Sequence, residues 1–291
     1  MPMLPERVLI TGKGGQLATA LAELLPKATV LGIEEMNLTR IDHIPEILEE
    51  HHPQVIINAA AYTAVDKAEE EEPLATIVNA EAPAVVAAFC KAKDIPFLHY
   101  STDYVFSGEG ENEWNEEDEP EPINAYGRGK LRGEELVLAT HAKALIFRTS
   151  WVYDAHGKNF VNTMLRMGKE REELSVVHDQ IGRPTYAPHL AAASLEALEN
   201  ALQSLHFPTG IYHLSGGGEA VSWHDFATAI FDGYDGELKV KNVKRILTHD
   251  YPTPAPRPHN SRLDCSKAKE ILGVEMPDWR EGLQECLKEL A

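Results

Sequence analysis

Cysteine is scarce in this 291-residue chain: only Cys90, Cys265 and Cys286 occur, odd in number and far apart. That usage excludes a disulfide framework and a thiolate metal cage, and it implies reduced thiols in a cytosol, with Cys90 facing the core. Positive charge is scarce too. The 27 Lys and Arg stand against 46 Asp and Glu, and the net charge of −19 excludes the cationic surface that nonspecific nucleic-acid binding requires. No apolar stretch approaches the roughly 20 residues needed to cross a bilayer. The N-terminus lacks the charged-then-apolar layout of a signal peptide. A soluble, cytoplasmic protein with no membrane or nucleic-acid partner is expected. The 13 histidines include no H-E-x-x-H pair, and His51 and His52 point to two sides of one helix, so no metal site is expected. Internal repeats and low-complexity tracts are lacking.

What is present is an alternation of apolar runs and helical patterns. Strands read at about 7–11, 28–32, 54–58, 95–100 and 144–148, with helices near 15–25, 42–51, 73–93 and 125–140 between them. Successive crossovers of this kind predict an α/β fold with a doubly wound parallel sheet, and ligands at the carboxyl ends of its strands. Beyond about residue 150 the pattern loosens. Helices are expected near 158–168, 188–203, 222–232, 265–273 and 279–290, and short strands near 174–177 and 210–214. The expected division is a dinucleotide-binding domain over 1–150 plus roughly 188–214, and a smaller mixed α/β substrate-binding domain over 151–187 and 215–291. The acidic run from Glu109 to Glu121 contains no Lys or Arg. It reads as a solvated loop, with a mobile lid as the second reading.

Three places in this frame carry chemistry. After the first strand, Gly12-Lys13-Gly14-Gly15-Gln16-Leu17 opens a helix, and a glycine turn with a free helix N-terminus is suited to a pyrophosphate. The spacing G-x-x-G-x-x-A departs from the dinucleotide fingerprint, so the strand–turn–helix context decides for cofactor binding. At the end of the second strand, Gly32 stands where an acid would read the adenosine ribose, while Glu34 and Glu35 follow within reach. NADPH is therefore favoured, with NADH possible. Finally, Tyr126 and Lys130 lie one helical turn apart on one face, so that a neighbouring ammonium draws the phenol's titration downward.

Seven short motifs stand in order along the chain: Gly12-x-x-Gly15-Gln16-Leu17, Asn58 to Asp66, Ser101-Thr102-Asp103-Tyr104-Val105-Phe106, Tyr126-x-x-x-Lys130, Arg148-Thr149-Ser150-Trp151, Asp179-Gln180-x-Gly182-x-Pro184-Thr185 and Arg257-Pro258-x-Asn260-Ser261. Through them the chain resembles the extended short-chain dehydrogenase/reductase superfamily over its whole length, and within it the dTDP-4-dehydrorhamnose reductase family. The resemblance implies Gly12, Gly15, Gln16 and Leu17 at the cofactor pyrophosphate and Asn37 and Leu38 near the adenine. Ala61, Tyr62 and Thr63 would run along the cofactor, with Tyr126 and Lys130 at the nicotinamide ribose. It further implies Thr102, Asp103 and Trp151 at the sugar, with Arg257 and Asn260 at the nucleotide end of a dTDP-sugar. Some resembling reductases are dimers bridged by magnesium through glutamates. The corresponding positions here, Ala20 and Pro188, carry no carboxylate, so a monomer or a homodimer without metal is expected.

The expected chemistry is reduction of the 4-keto group of dTDP-4-dehydro-L-rhamnose by NAD(P)H. Hydride goes to carbon, Tyr126 gives the proton, Lys130 holds the ribose and Thr102 steadies the carbonyl oxygen. Two other functions fit the frame. A nucleotide-sugar dehydratase or epimerase would use the same fold and return its cofactor, but dehydratases it resembles carry Thr-Asp-Glu where this chain has Thr102-Asp103-Tyr104. A non-catalytic nucleotide-binding regulatory subunit is the other, against which the intact Thr102, Tyr126 and Lys130 argue.

Overall fold

A computed structural model describes residues 4–290. Strand β1 (Val8–Thr11) leads through a glycine turn into helix α1 (Gln16–Leu24), then β2 (Thr29–Leu31), α2 (Ile44–His51) and β3 (Val55–Asn58). The short helices α3 (Val65–Ala68) and α4 (Glu72–Thr76) precede α5 (Ala82–Lys93), β4 (Phe97–Thr102), α6 (Ala125–Ala139) and β5 (Ala144–Thr149). Every residue of β1, β3, β4 and β5 is buried, which is why these segments read as continuous apolar runs rather than alternating ones.

After β5 come β6 (Val152–Tyr153), α7 (Phe160–Glu170), β7 (Glu173–Val177), β8 (Ile181–Gly182) and β9 (Thr185–Tyr186). Helix α8 (Ala187–Gln203) and strand β10 (Gly210–His213) follow, then β11 (Val221–Ser222), α9 (Trp223–Gly233), β12 (Asn242–Ile246), β13 (Asn260–Ser261) and α10 (Trp279–Leu290). Six parallel strands form the main sheet in the order β2-β1-β3-β4-β5-β10. The chain steps outward from β1 to β2 and then crosses back to β3, so the winding reverses between β1 and β3. Helices diverge there and leave a crevice at the carboxyl ends.

Alternating side chains feed two cores. Ile10, Leu98, Leu145 and Tyr212 pack with Leu21, Ala191 and Leu198 of α1 and α8. Leu9, Ile56, Phe97 and Ile146 pack with Leu48, Val86, Cys90 and Val137 of α2, α5 and α6. A third core joins Tyr153, Val161, Phe226, Ile230, Trp279 and Leu283 in the later half. There β12, which the sequence pattern missed, pairs in parallel with β7.

Three expectations need correction. The helix expected over 73–93 is α4 and α5 joined by a wider π turn at Ile77–Glu81, with Pro83 in the first turn of α5. Taken together, Glu72–Lys93 is 22 residues of mean hydropathy 1.5, long and apolar enough to cross a bilayer by length and composition alone. In the fold its Ala and Val residues instead form a core face, with 44% of the most apolar window buried. The acidic segment is solvent-exposed over 109–113, as a solvated loop should be, but beyond it the chain is anchored rather than free to move as a lid. Trp114 stacks on Phe106 at 4.7 Å, its indole N–H donates to the Asn260 carbonyl, and Glu116 accepts the His213 N–H at 2.7 Å. The segment is a strap pinned across the molecule.

Candidate active site

A cleft of about 750 Å³ opens where β1, β3, β4 and β5 end. At its floor the glycine turn presses against the loop after β3. Gly12 has φ +95°, and a Cβ there would stand 2.8 Å from the Ala60 nitrogen. No other residue type fits that approach. Gly15 caps α1 without any side-chain acceptor, so the first N–H groups of the helix are left for a ligand. Gly15, Gln16 and Leu17 line the cleft, as do Asn37 and Leu38 at its far end and Ala61 and Thr63 along its side. This shape and these uncapped donors fit a pyrophosphate-containing dinucleotide. Gln16 is also held from across the cleft, its Oε1 accepting the Asn159 side-chain N–H at 2.9 Å.

Tyr62 departs from expectation. Its side chain does not line the cleft: the phenol donates to Glu71 Oε2 at 2.5 Å, and that bond pushes its titration up to about 12. Asn79 explains the loop's shape. Its Oδ1 accepts the Tyr62 N–H at 2.8 Å and its amide donates to the Tyr62 carbonyl at 3.0 Å, clamping 61–63 from the π turn. Sequence reading missed Asn79. The available signal was an amide side chain inside an otherwise Ala- and Val-rich helix, where burial demands partners.

Thr102 ends β4 and caps the turn at Asp103–Val105, accepting the Tyr104 N–H at 3.2 Å and donating to Asp103 Oδ1 at 3.0 Å. Tyr126 and Lys130 reach the same place from α6, whose start is capped by Asn124 Oδ1 accepting the Gly127 N–H. Gly127 is obligatory there, since a Cβ would lie 2.1 Å from the Tyr104 carbonyl oxygen. The Tyr126 and Tyr104 rings meet edge-on at 5.5 Å.

The electrostatics reverse one expectation. Burial pushes the Tyr126 phenol up to about 12, and the opposing influence is the Thr102 hydroxyl rather than Lys130. Lys130 turns elsewhere: its ammonium donates to the Tyr100 carbonyl at 2.5 Å and lies 3.5 Å from His99 Nε2. Desolvation brings this lysine down to about 8. Buried His99 is held neutral, with Nδ1 2.9 Å from the Asn58 amide, and Asn58 Oδ1 accepts the Thr11 hydroxyl at 2.5 Å. One buried polar chain thus runs from β1 to Lys130. Asp103 is likewise pushed up by burial, to about 6, against the Ser261 and Thr102 hydroxyls.

The other sugar-side residues are redistributed. Trp151 lines the cleft, but its faces are taken: Trp223 stacks on it at 3.5 Å, and Gly182 leaves room for its ring on a Cβ approach of 2.8 Å. It therefore offers an edge rather than a stacking platform, and its φ of +49° is a strained value held by this packing. Arg257 lies outside this cleft, paired with Asp66 at 2.8 Å beside a second cavity. Asn260 is buried, donating to the Asn112 carbonyl and accepting the Arg262 N–H, and lines neither cavity. It is a strut. Lys13, Lys158 and Trp223 line the cleft without having been singled out. Among the described residues no group of three His, Cys, Asp or Glu side chains converges as a metal site.

Comparison with known proteins shows the family. The family model described as the RmlD substrate binding domain matches residues 6–291. A dTDP-4-dehydrorhamnose reductase of Burkholderia thailandensis is 42% identical, over 98% of this chain and 99% of its own. One from Escherichia coli is 39% identical over 97% of both chains. The crystal structure of the Bacillus anthracis dTDP-4-dehydrorhamnose reductase in complex with NADP is 39% identical, covers 98% of this chain and 100% of its own, and superposes with a TM-score of 0.90.

Proposed function

This chain belongs to the RmlD substrate binding domain family, and from that premise we propose that it reduces the 4-keto group of dTDP-4-dehydro-L-rhamnose to dTDP-L-rhamnose with NADPH. The observation that carries the reading is the convergence of Thr102, Tyr126 and Lys130 on the same cleft that the uncapped glycine turn lines. Residues 4–150 with 188–214 hold the dinucleotide in this reading, and the remaining residues close over the sugar nucleotide.

The bound nicotinamide supplies hydride to the ketone carbon. The protein's own task is then the proton. With its phenol held up to about 12, Tyr126 stays protonated across the physiological range and donates to the oxygen as charge develops there. Thr102, whose hydroxyl accepts the Tyr104 N–H and donates its one proton to Asp103, turns that proton from Asp103 to the same oxygen as charge develops there. Lys130 is cationic at neutral pH, with its titration near 8, and holds the ribose hydroxyls beside the phenol. Tyr104 fills the position where a dehydratase needs a carboxylate base. Burial raises its phenol too, so it supplies no base for elimination.

The deciding experiment mixes the chain with NADPH and dTDP-4-dehydro-L-rhamnose and follows both cofactor and sugar. One NADPH consumed per dTDP-L-rhamnose identified by NMR is the expected result. A different keto sugar formed with no net NADPH consumed would assign an epimerase or dehydratase. No ketone-dependent oxidation, with a partner enzyme co-purifying, would assign a regulatory subunit.

A further inference from the structure

Three polar residues stand in a row across the buried middle of the sheet. Thr11 on β1 is in register with Asn58 on β3, and Asn58 with His99 on β4, and none of the three is more than 2% exposed. The hydrogen bonds along this row run one way. The Thr11 hydroxyl lies 2.5 Å from the Asn58 amide oxygen, a separation too short for an amide nitrogen, so Thr11 donates and the Asn58 N–H group is turned to His99 Nδ1 at 2.9 Å. Nδ1 therefore accepts. Desolvation and the neighbouring Lys130 charge hold the imidazole neutral, and a neutral ring that accepts at Nδ1 carries its proton on Nε2. That Nε2–H faces Lys130 Nζ at 3.5 Å, donor against donor.

We propose that His99 is a positioning residue for Lys130: locked as the Nε2–H tautomer by Thr11 and Asn58, it denies the ammonium a second protein acceptor and leaves its remaining N–H groups for the cofactor ribose. The inference rests on the dinucleotide reading given above and on the role proposed there for Lys130. The ammonium already donates to the Tyr100 carbonyl at 2.5 Å, which fixes where it sits. The other charged and titratable groups around it offer no acceptor. Glu134, one turn along α6, gives both carboxylate oxygens to Arg148 of β5, at 2.9 and 2.7 Å. Tyr126, one turn back, is a protonated phenol. On β4, an imidazole of the opposite tautomer would present Nε2 as an acceptor and draw the ammonium into the sheet. The tautomer that Asn58 selects repels it instead.

The test begins with the tautomer itself. Nitrogen NMR of the full chain labelled in histidine, with the His99 resonances identified by their loss in His99→Phe, is expected to show a neutral Nε2–H ring that does not titrate between about pH 6 and 8. A ring protonated on Nδ1, or charged in that range, overturns the proposal. Asn58→Asp then reverses the lock. A carboxylate at position 58 accepts the Nδ1 proton, so Nε2 becomes an acceptor and takes the ammonium. Calorimetric titration with NADPH at neutral pH is expected to show affinity weakened about tenfold, the worth of one charge-assisted hydrogen bond. The alkaline limb of kcat/KM, which follows loss of the ammonium's proton, is expected to move up by about one pH unit. Thr11→Val keeps the side-chain shape and frees the Asn58 amide to turn over, so it should move both readouts the same way by less. Melting temperatures that change while affinity and pH limb keep their wild-type values in both variants would make the row structural alone and overturn the proposal. Failure of wild type to bind NADPH, whatever the tautomer, would remove the cofactor reading itself, and this inference with it.

Discussion

In the proposed reaction Tyr126 gives the proton and Lys130 holds the ribose, and burial shifts the titration of both. Replacing Tyr126 with Phe keeps the ring against Tyr104 and removes only the donor. Turnover is expected to fall by about two to four orders of magnitude, the usual worth of a general acid, with NADPH affinity nearly unchanged. Near-normal steady-state kinetics in that variant would end the assignment. Lys130 makes a second, thermodynamic prediction. Its titration falls from 10.5 in the unfolded chain to about 8 in the native one. Between those values the unfolded state binds a proton that the native state has lost, so stability rises with pH across the window. Below pH 8 both states are charged and the native state carries the full desolvation cost, about 3 kcal/mol. Lys130→Met abolishes this term. Urea melts of both proteins across the window should show wild type gaining on the variant as pH rises, and a constant difference would mean the ammonium is not desolvated.

Among the elements, the π turn, packed on α6, fixes the loop at 61–63 that lines the cleft. Asn79→Ala strands the Tyr62 N–H and carbonyl, which should cost about 1–3 kcal/mol and weaken NADPH binding by loosening 61–63. Thermal melts and a cofactor titration check both effects, and an unchanged affinity would show that the clamp serves stability alone. Gly133 belongs to the same contact, because a Cβ there would lie 2.2 Å from the Asn79 carbonyl oxygen. The pattern from 73 to 93 announced a helix but not its widened turn. That turn is set by what α4 and α5 pack against, which no periodicity within the segment records.

For the whole molecule, the strap from Glu109 to Glu121 does what its charge did not suggest. Trp114 accepts the Asp264 N–H through its carbonyl, donates to the Arg262 carbonyl, and stacks on Phe106, tying the end of β4 to the segment after β13. Trp114→Ala should cost about 3 kcal/mol and expose the strap to proteolysis. Limited proteolysis cutting wild type and variant at equal rates would deny it that role. Gln16 and Asn159 make a second link across the cleft, at the turn expected to meet the pyrophosphate.

What the residue order determined by itself is the part governed by local rules. Continuous apolar runs gave the parallel strands, the glycine turn gave the start of α1, and four-residue spacing placed Tyr126 and Lys130 on one face of α6. The tertiary structure decided which way the polar ends of those side chains turn. Lys130 is drawn to a strand carbonyl, Tyr62 to Glu71, Arg257 to Asp66, and Trp151 is clasped between Gly182 and Trp223. Each outcome depends on a partner distant in the chain or on burial. A buried polar group must take the nearest available partner, and only the folded arrangement determines which partner that is.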